Sequence, residues 1–176
     1  MTTTRQQQLG DTSIMPTLTT TVPSPIGPLL LSASQGALTG VQMQNQRHFR
    51  ELPEDAVRDD EWFADIRAQL DAYFCGDLRE FDVTLNLVGT DFQRRVWAQL
   101  QAIPYGETIS YGELAARVGN ERASRAVGLA NGKNPVSIIV PCHRVIGADG
   151  SLTGYGGGLD RKTWLLAHET ASRNGS

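Results

Sequence analysis

Short apolar runs separated by turn residues open the chain. Thr17–Val22, Pro28–Ser34 and Ala37–Met43 read as strands, with turns at Pro25-Ile26-Gly27 and Gln35-Gly36. Three short strands on tight turns predict an antiparallel meander. Residues 51–61 are acidic and polar and read as a solvated loop. The period then changes. Trp62, Ile66, Leu70 and Tyr73/Phe74 recur at helical spacing, which predicts a helix over 61–76 stopped by Gly76. Phe81, Val83, Leu85 and Leu87 alternate with polar residues, as in a strand. Gly89-Thr90 leads into a helix over 91–103 with Phe92, Val96, Leu100 and Ile103 on one face, ended by Pro104.

The second half patterns differently. Tyr111–Val118 predicts a short helix with Leu114, Ala115 and Val118 inward. Gly119-Asn120 is a turn, and 121–131 is a second short helix. Two short helices about a glycine turn have the shape of a helix-turn-helix. The second helix is rich in small residues (Ala123, Ser124, Ala126, Gly128, Ala130, Gly132), with Arg125 standing out among them. Such a helix either packs closely on a neighbour or enters a narrow groove such as the ~6 Å minor groove of DNA. Ser137–Val140 reads as a short buried strand running into Pro141-Cys142-His143-Arg144-Val145-Ile146.

Composition bounds the class. The 176 residues fit one domain or two small ones, and 40% hydrophobic with 20% charged residues is ordinary for a soluble globular chain. The net charge of −3 argues against a generic nucleic-acid binder, but it is unevenly divided. Residues 1–90 carry 6 basic and 12 acidic residues (−6), whereas 91–176 carry 10 and 7 (+3). Such a split hints at an acidic domain beside one that meets an anion, the half in which Arg94, Arg95, Arg117, Arg122, Arg125, Lys133 and Arg144 fall. No apolar run approaches the ~18 residues that span a bilayer. Residues 1–15 are polar, read as a disordered tail and lack the apolar core of a secretory signal, so a cytoplasmic location without membrane contact is expected. Two cysteines make no disulfide framework. The three histidines show no zinc spacing, so no metal is expected.

Cys142 carries the candidate chemistry. Pro141 would fix it directly after a strand, and His143 and Arg144 supply a base and a positive neighbour for thiolate formation. In extended backbone, Cys142 and His143 would point to opposite faces unless the chain turns between them, and a bridging water could then connect them. A buried Cys-His pair without function is the competing reading. Cys75, at a helix end among aromatics, reads as a small buried hydrophobe.

Pro141-Cys142-His143-Arg144-Val145 resembles the active-site signature of the O6-alkylguanine-DNA alkyltransferases, the methylated-DNA–protein-cysteine methyltransferases. Tyr111-Gly112, Arg125-Ala126-Val127-Gly128, Asn134-Pro135 and Trp164-Leu165-Leu166-Ala167-His168-Glu169 stand at the spacing of that family. The resemblance spans residues 17–170 and is most specific over 92–169.

It implies a role for each matching position. Cys142 would accept the alkyl group, His143 would act as base through a water, and Glu169 would hold His143 in its basic tautomer. Asn134 would brace the strand and turn, and Tyr111 would help neutralise the leaving guanine. Arg125 would fill the stack left by a flipped nucleotide, on a helix whose Ala126 and Gly128 allow close approach to DNA. The carbonyls of Cys142 and Val145 would meet the exocyclic amine, and Tyr155 and Gly156 would lie on a loop closing over the base. Many relatives carry serine at the Gly156 position, a change that keeps the backbone N–H. Zinc-binding relatives use N-terminal cysteines and histidines; here the first 74 residues hold only His48.

The resemblance thus implies an α/β (α+β) protein. Its N-terminal domain, residues 17–87, would be a ribonuclease-H-like antiparallel sheet with a helix. Its C-terminal DNA-binding and alkyl-acceptor domain, residues 91–170, would be mainly helical with a helix-turn-helix. The implied function is single-turnover, cofactor-free repair of O6-alkylguanine in double-stranded DNA. Binding would be through the minor groove and as a monomer, with O4-alkylthymine a lesser substrate. A lesion sensor without transfer and a cysteine hydrolase are the alternatives. The hydrolase is disfavoured because base and nucleophile adjoin in sequence.

Overall fold

The computed structural model describes residues 15–175. The expected tail therefore lies, apart from Met15, outside the described residues. The meander forms as the pattern predicts: β1 (Leu18–Val22), β2 (Leu29–Ser34) and β3 (Ala37–Met43) pair antiparallel in order. Gln35 and Gly36 both take positive φ (53° and 76°), the twist a two-residue hairpin turn needs. Leu29, Leu31, Leu38, Val41 and Met43 are wholly buried.

The 51–61 segment is not only loop. β4 (Val57–Arg58) adds to β1 in parallel, giving the sheet order β3-β2-β1-β4. It is held by backbone bonds from Val57 to Thr17 (2.8 Å) and from Asp59 to Thr19 (3.0 Å). Both its side chains are exposed, so no apolar signal marks it.

The helix expected from 61 runs as α1 over Ala64–Cys75, and left-handed Gly76 ends it. Cys75 is exposed, not a buried hydrophobe, because the apolar face of α1 belongs to Ile66, Leu70 and Tyr73. Residues 81–87 form no strand of the sheet. They touch β3 at a single bridge, with bonds from Leu38 to Thr84 and from Asn86 to Leu38, both 2.9 Å. Phe81, Val83, Leu85 and Leu87 still pack on the core, so their alternation reports a buried face and no ladder.

α2 (Asp91–Gln101) starts at a capping box in which Thr90 and Gln93 exchange hydrogen bonds. β5 (Ile109–Ser110), α3 (Tyr111–Arg117) and α4 (Ser124–Gly132) follow, the last two making the expected helix-turn-helix, although α4 starts three residues late. The Nε1–H of Trp97 donates to the Ala130 carbonyl at 2.9 Å and ties α2 to α4.

The strand expected over 137–140 is instead a tight turn. Val140 N–H bonds back to Val136 (3.0 Å), and Ile138 adopts φ +73°, a left-handed conformation unusual for a β-branched residue. The run is apolar because Val136, Ile138 and Val140 are core, not because they form a ladder. Backbone bonds from Val41 to Pro135 (3.0 Å) and from Ser137 to Val41 (3.1 Å) fasten this turn to the edge of β3. A 3-10 turn, Cys142–Arg144, leads to β6 (Val145–Ile146), parallel to β5, and α5 (Leu159–Asn174) closes the chain. Buried side chains from both halves merge into one hydrophobic core.

Candidate active site

Cys142 begins the 3-10 turn, so the chain does turn between Cys142 and His143, and the opposite-face geometry of an extended strand does not apply. Both residues are buried. Asn134 secures the approach: its Nδ2–H donates to the Val140 carbonyl (2.7 Å) while its Oδ1 accepts from Val136 N–H (3.0 Å). Asn134 was expected to brace a strand and a turn; its two bonds span the turn alone. Asn131 donates to the Cys142 carbonyl at 3.2 Å.

His143 Nε2 lies 2.7 Å from Glu169 Oε1, and its buried Nδ1 has no protein partner among the described residues. An anionic Glu169 makes Nε2 the protonated nitrogen, which leaves the Nδ1 lone pair free to accept a proton. Glu169 itself is saturated. It also accepts from Tyr73 Oη (2.8 Å), Arg144 Nε and Nη2 (both 2.9 Å) and Gly106 N–H (3.2 Å). Burial alone would raise its pKa, but the hydrogen bonds of His143 and Arg144 and the charge of Arg144 prevail and hold it well below the usual carboxylate range.

Burial sets the resting proton distribution. It pushes the Cys142 thiol up, against smaller opposing effects of Asn134 and Lys162, and it pushes the His143 imidazole down despite Glu169. The resting pair is therefore a neutral thiol beside a neutral base, not a thiolate–imidazolium pair. Arg144 does not activate the thiol or face DNA, as its place beside Cys142 suggested. It is buried, paired with Glu169, and donates through Nη1 to the Ile103 carbonyl at 2.6 Å.

Lys162 escaped the sequence reading. It is fully buried on α5 and donates to the carbonyls of Val145 (2.5 Å) and Thr153 (3.1 Å), with its Nζ 5.9 Å from the Tyr111 ring and 6.0 Å from the Tyr155 ring. Burial lowers its pKa to about 8. Tyr111, the first residue of α3, donates to the Thr153 carbonyl at 2.8 Å, and burial raises its pKa. Lys162 thus positions two groups the family resemblance singles out, the Val145 carbonyl and, through Thr153, the Tyr111 phenol.

A cavity of about 590 Å³ opens in front of this assembly, walled by Tyr111, Arg125, Gly128, Leu129 and the 153–156 loop. Cys142 sits behind it, in a constriction it shares with Asn131, Asn134, Tyr155 and Gly156. Tyr155 is buried, its hydroxyl against Met43 Sδ at 3.9 Å. α4 packs along one face and leaves the other open. Val127, Ala130 and Asn131 pack inward, while Arg125, Ala126 and Leu129 are exposed. Among the described residues no cluster of three or more His, Cys, Asp or Glu could hold a metal.

Comparison with known proteins agrees along the chain. The family profile "6-O-methylguanine DNA methyltransferase, ribonuclease-like domain" matches residues 17–87, and "6-O-methylguanine DNA methyltransferase, DNA binding domain" matches residues 91–171. A methylated-DNA–protein-cysteine methyltransferase of Methanosarcina acetivorans is 53% identical over 146 residues, covering 83% of this chain and 94% of its own. One from Mycobacterium leprae is 56% identical over 150 residues, covering 83% and 88%. The crystal structure of Mycobacterium tuberculosis OGT in complex with DNA superposes with a TM-score of 0.84 at 54% identity, covering 88% of this chain and 94% of that one.

Proposed function

The chain belongs to the methylated-DNA–protein-cysteine methyltransferase family, and on that premise we propose that Cys142 is its alkyl acceptor, served by His143, Glu169, Asn134 and Tyr111. The enzyme repairs DNA by direct damage reversal, moving the alkyl group of O6-alkylguanine onto its own cysteine. The observation that carries the assignment is the buried dyad. Cys142 adjoins a histidine whose Nε2 is engaged by Glu169 and whose Nδ1 is unpaired.

The transfer is a displacement at the alkyl carbon. His143 Nδ1 takes the thiol proton through a bridging water, and the sulfur forms its bond to carbon as the bond from carbon to O6 breaks. Tyr111 gives a proton to the leaving guanine and is reprotonated from the His143 side, so the thiol proton ends on guanine in the balance. The product is a thioether that no group in the site can cleave. Each molecule therefore acts once.

The neutral resting thiol suits this economy: a cysteine that can be spent only once is kept unreactive until substrate fills the cavity. Reaching a base inside a duplex requires extruding it, at a cost of a few kcal/mol. Arg125, exposed on α4 at the cavity rim, would offset part of that by occupying the vacated stack from the minor groove, with Ala126 and Gly128 allowing α4 close approach. The Cys142 and Val145 carbonyls would then receive the exocyclic amine, and Tyr155 and Gly156 would cover the base. Hydrogen bonds hold both carbonyls in place, that of Val145 from Lys162 and that of Cys142 from Asn131 and the Val145 N–H. In this reading 17–87 buttresses the site and 91–170 performs the chemistry, in a cytoplasmic monomer that also accepts O4-alkylthymine more slowly. No helix among the described residues is long and apolar enough to cross a membrane.

Cys142→Ser tests the acceptor. The variant should bind O6-methylguanine duplex as the wild type does and take up no alkyl group; transfer retained by the variant would move the acceptor elsewhere.

A further inference from the structure

The acidic half of the chain was expected to stay away from DNA, yet it contributes to the cavity rim. Arg47 and His48, on the connection between β3 and β4, line the same 590 Å³ cavity as Arg125. Their segment is pinned and not merely nearby. Arg47 N–H donates to the Gly156 carbonyl at 2.7 Å, Gln46 Oε1 accepts from Met43 N–H at 2.7 Å, and Asn45 and His48 both hold left-handed backbone (φ 59° and 61°). Glycine at 156 allows the approach. A Cβ there would stand 3.1 Å from the Gly132 carbonyl oxygen and 3.5 Å from that of Arg47.

The Arg47 side chain is exposed and makes no hydrogen bond or ion pair among the described residues. Its neighbours spend their donors inside the protein, Arg50 on the Val88 carbonyl and Arg58 on Asp60. An unpaired guanidinium on a rigid loop at the mouth of a nucleotide-sized cavity is a preorganised phosphate ligand, since its fork matches phosphate oxygens and little ordering remains to be done on binding.

We propose that Arg47 binds the DNA backbone phosphate flanking the flipped nucleotide, so that the lesion is gripped from both halves of the chain, by Arg47 on the β3–β4 connection and by Arg125 on α4. The proposal rests on the repair reading above. His48 beside it adds a hydrogen-bond donor to the same stretch of backbone.

The test is a salt titration of binding to a duplex carrying one O6-methylguanine, in the Cys142→Ser background so that the complex stays non-covalent. One lost phosphate contact flattens the slope of log K against log salt by about 0.9. Arg47→Ala should therefore lose about 3.5-fold less affinity than the parent across a fourfold rise in salt. Arg47→Lys should keep the parent slope. An unchanged slope in Arg47→Ala, or an equal flattening in Arg47→Lys, overturns the proposal. A wild-type chain that takes up no alkyl group would instead sink the repair reading itself, so the two failures are distinguishable.

Discussion

Glu169→Gln is the most informative single change in this protein. The carboxylate is buried and accepts from Tyr73, His143, two nitrogens of Arg144 and the Gly106 N–H, at 2.7–3.2 Å. Glutamine has nearly the same shape, but it carries no charge and replaces one acceptor oxygen by a donor. The Arg144 guanidinium, itself buried, would lose its counter-charge. Removing one partner of a buried pair costs about 3–5 kcal/mol, a large part of the ~5–15 kcal/mol that holds a domain folded. In urea, with a slope of about 2 kcal/mol per molar, the midpoint should fall by on the order of 2 M. Under folding conditions the single-turnover transfer rate should drop by about 10²–10⁴, because His143 loses the group that fixes its tautomer. The pH dependence adds a signature. The folded-state pKa of Glu169 lies below its ordinary value of 4.5, so its contribution is complete above that pH and is lost as pH falls below it. The stability gap between wild type and Glu169→Gln should therefore close in acid. A midpoint shift equivalent to less than about 1 kcal/mol, the worth of one ordinary hydrogen bond, would refute the view that Glu169 is the electrostatic keystone of the site.

Two further outcomes follow. Arg125→Ala should slow repair of duplex DNA far more than reaction with free O6-benzylguanine base, because only the duplex requires extrusion; equal losses in paired rate measurements would remove its flipping role. Lys162 is lowered from 10.5 to about 8 by burial, so between those values the unfolded chain binds a proton that the folded chain does not, and stability rises with pH. Thermal melts from pH 8 to 10.5 should show wild type gaining on Lys162→Met by at most about 3 kcal/mol, and a constant difference would contradict that burial.

Much of this was legible in residue order. The alternation and turn residues of 17–43 fixed β1–β3, and the helical period of 91–103 fixed α2, whose Thr90…Gln93 capping box was also there to be read. What escaped was held by backbone and not by side-chain pattern. β4 exists because the N–H groups of Val57 and Asp59 meet the carbonyls of Thr17 and Thr19, while Val57 and Arg58 both face solvent. The apolar run 137–140 looked like a strand because buried residues look alike in either conformation, and only the Asn134 brace and the positive φ at Ile138 make it a turn. In the site, Cys142, His143 and Glu169 stood out by motif, and the structure brings His143 and Glu169 into contact beside Cys142. Lys162 did not. A lysine on an amphipathic helix reads as solvated, and its function became visible only when carbonyls from Val145 and Thr153 converged on it. Arg144 was read as a positive neighbour of the thiol, whereas its charge is spent on Glu169, 25 residues away. Arg47 was set aside with the acidic half because net charge averages over surfaces that face different ways.

Intact-mass analysis followed by peptide mapping, after incubation with a stoichiometric O6-methylguanine duplex, tests the central claim most directly. The account predicts one added CH2 per molecule, located on Cys142, with uptake ending at one equivalent however much substrate is supplied. An unmodified thiol under saturating DNA, an adduct on exposed Cys75, or more than one turnover per molecule would contradict it.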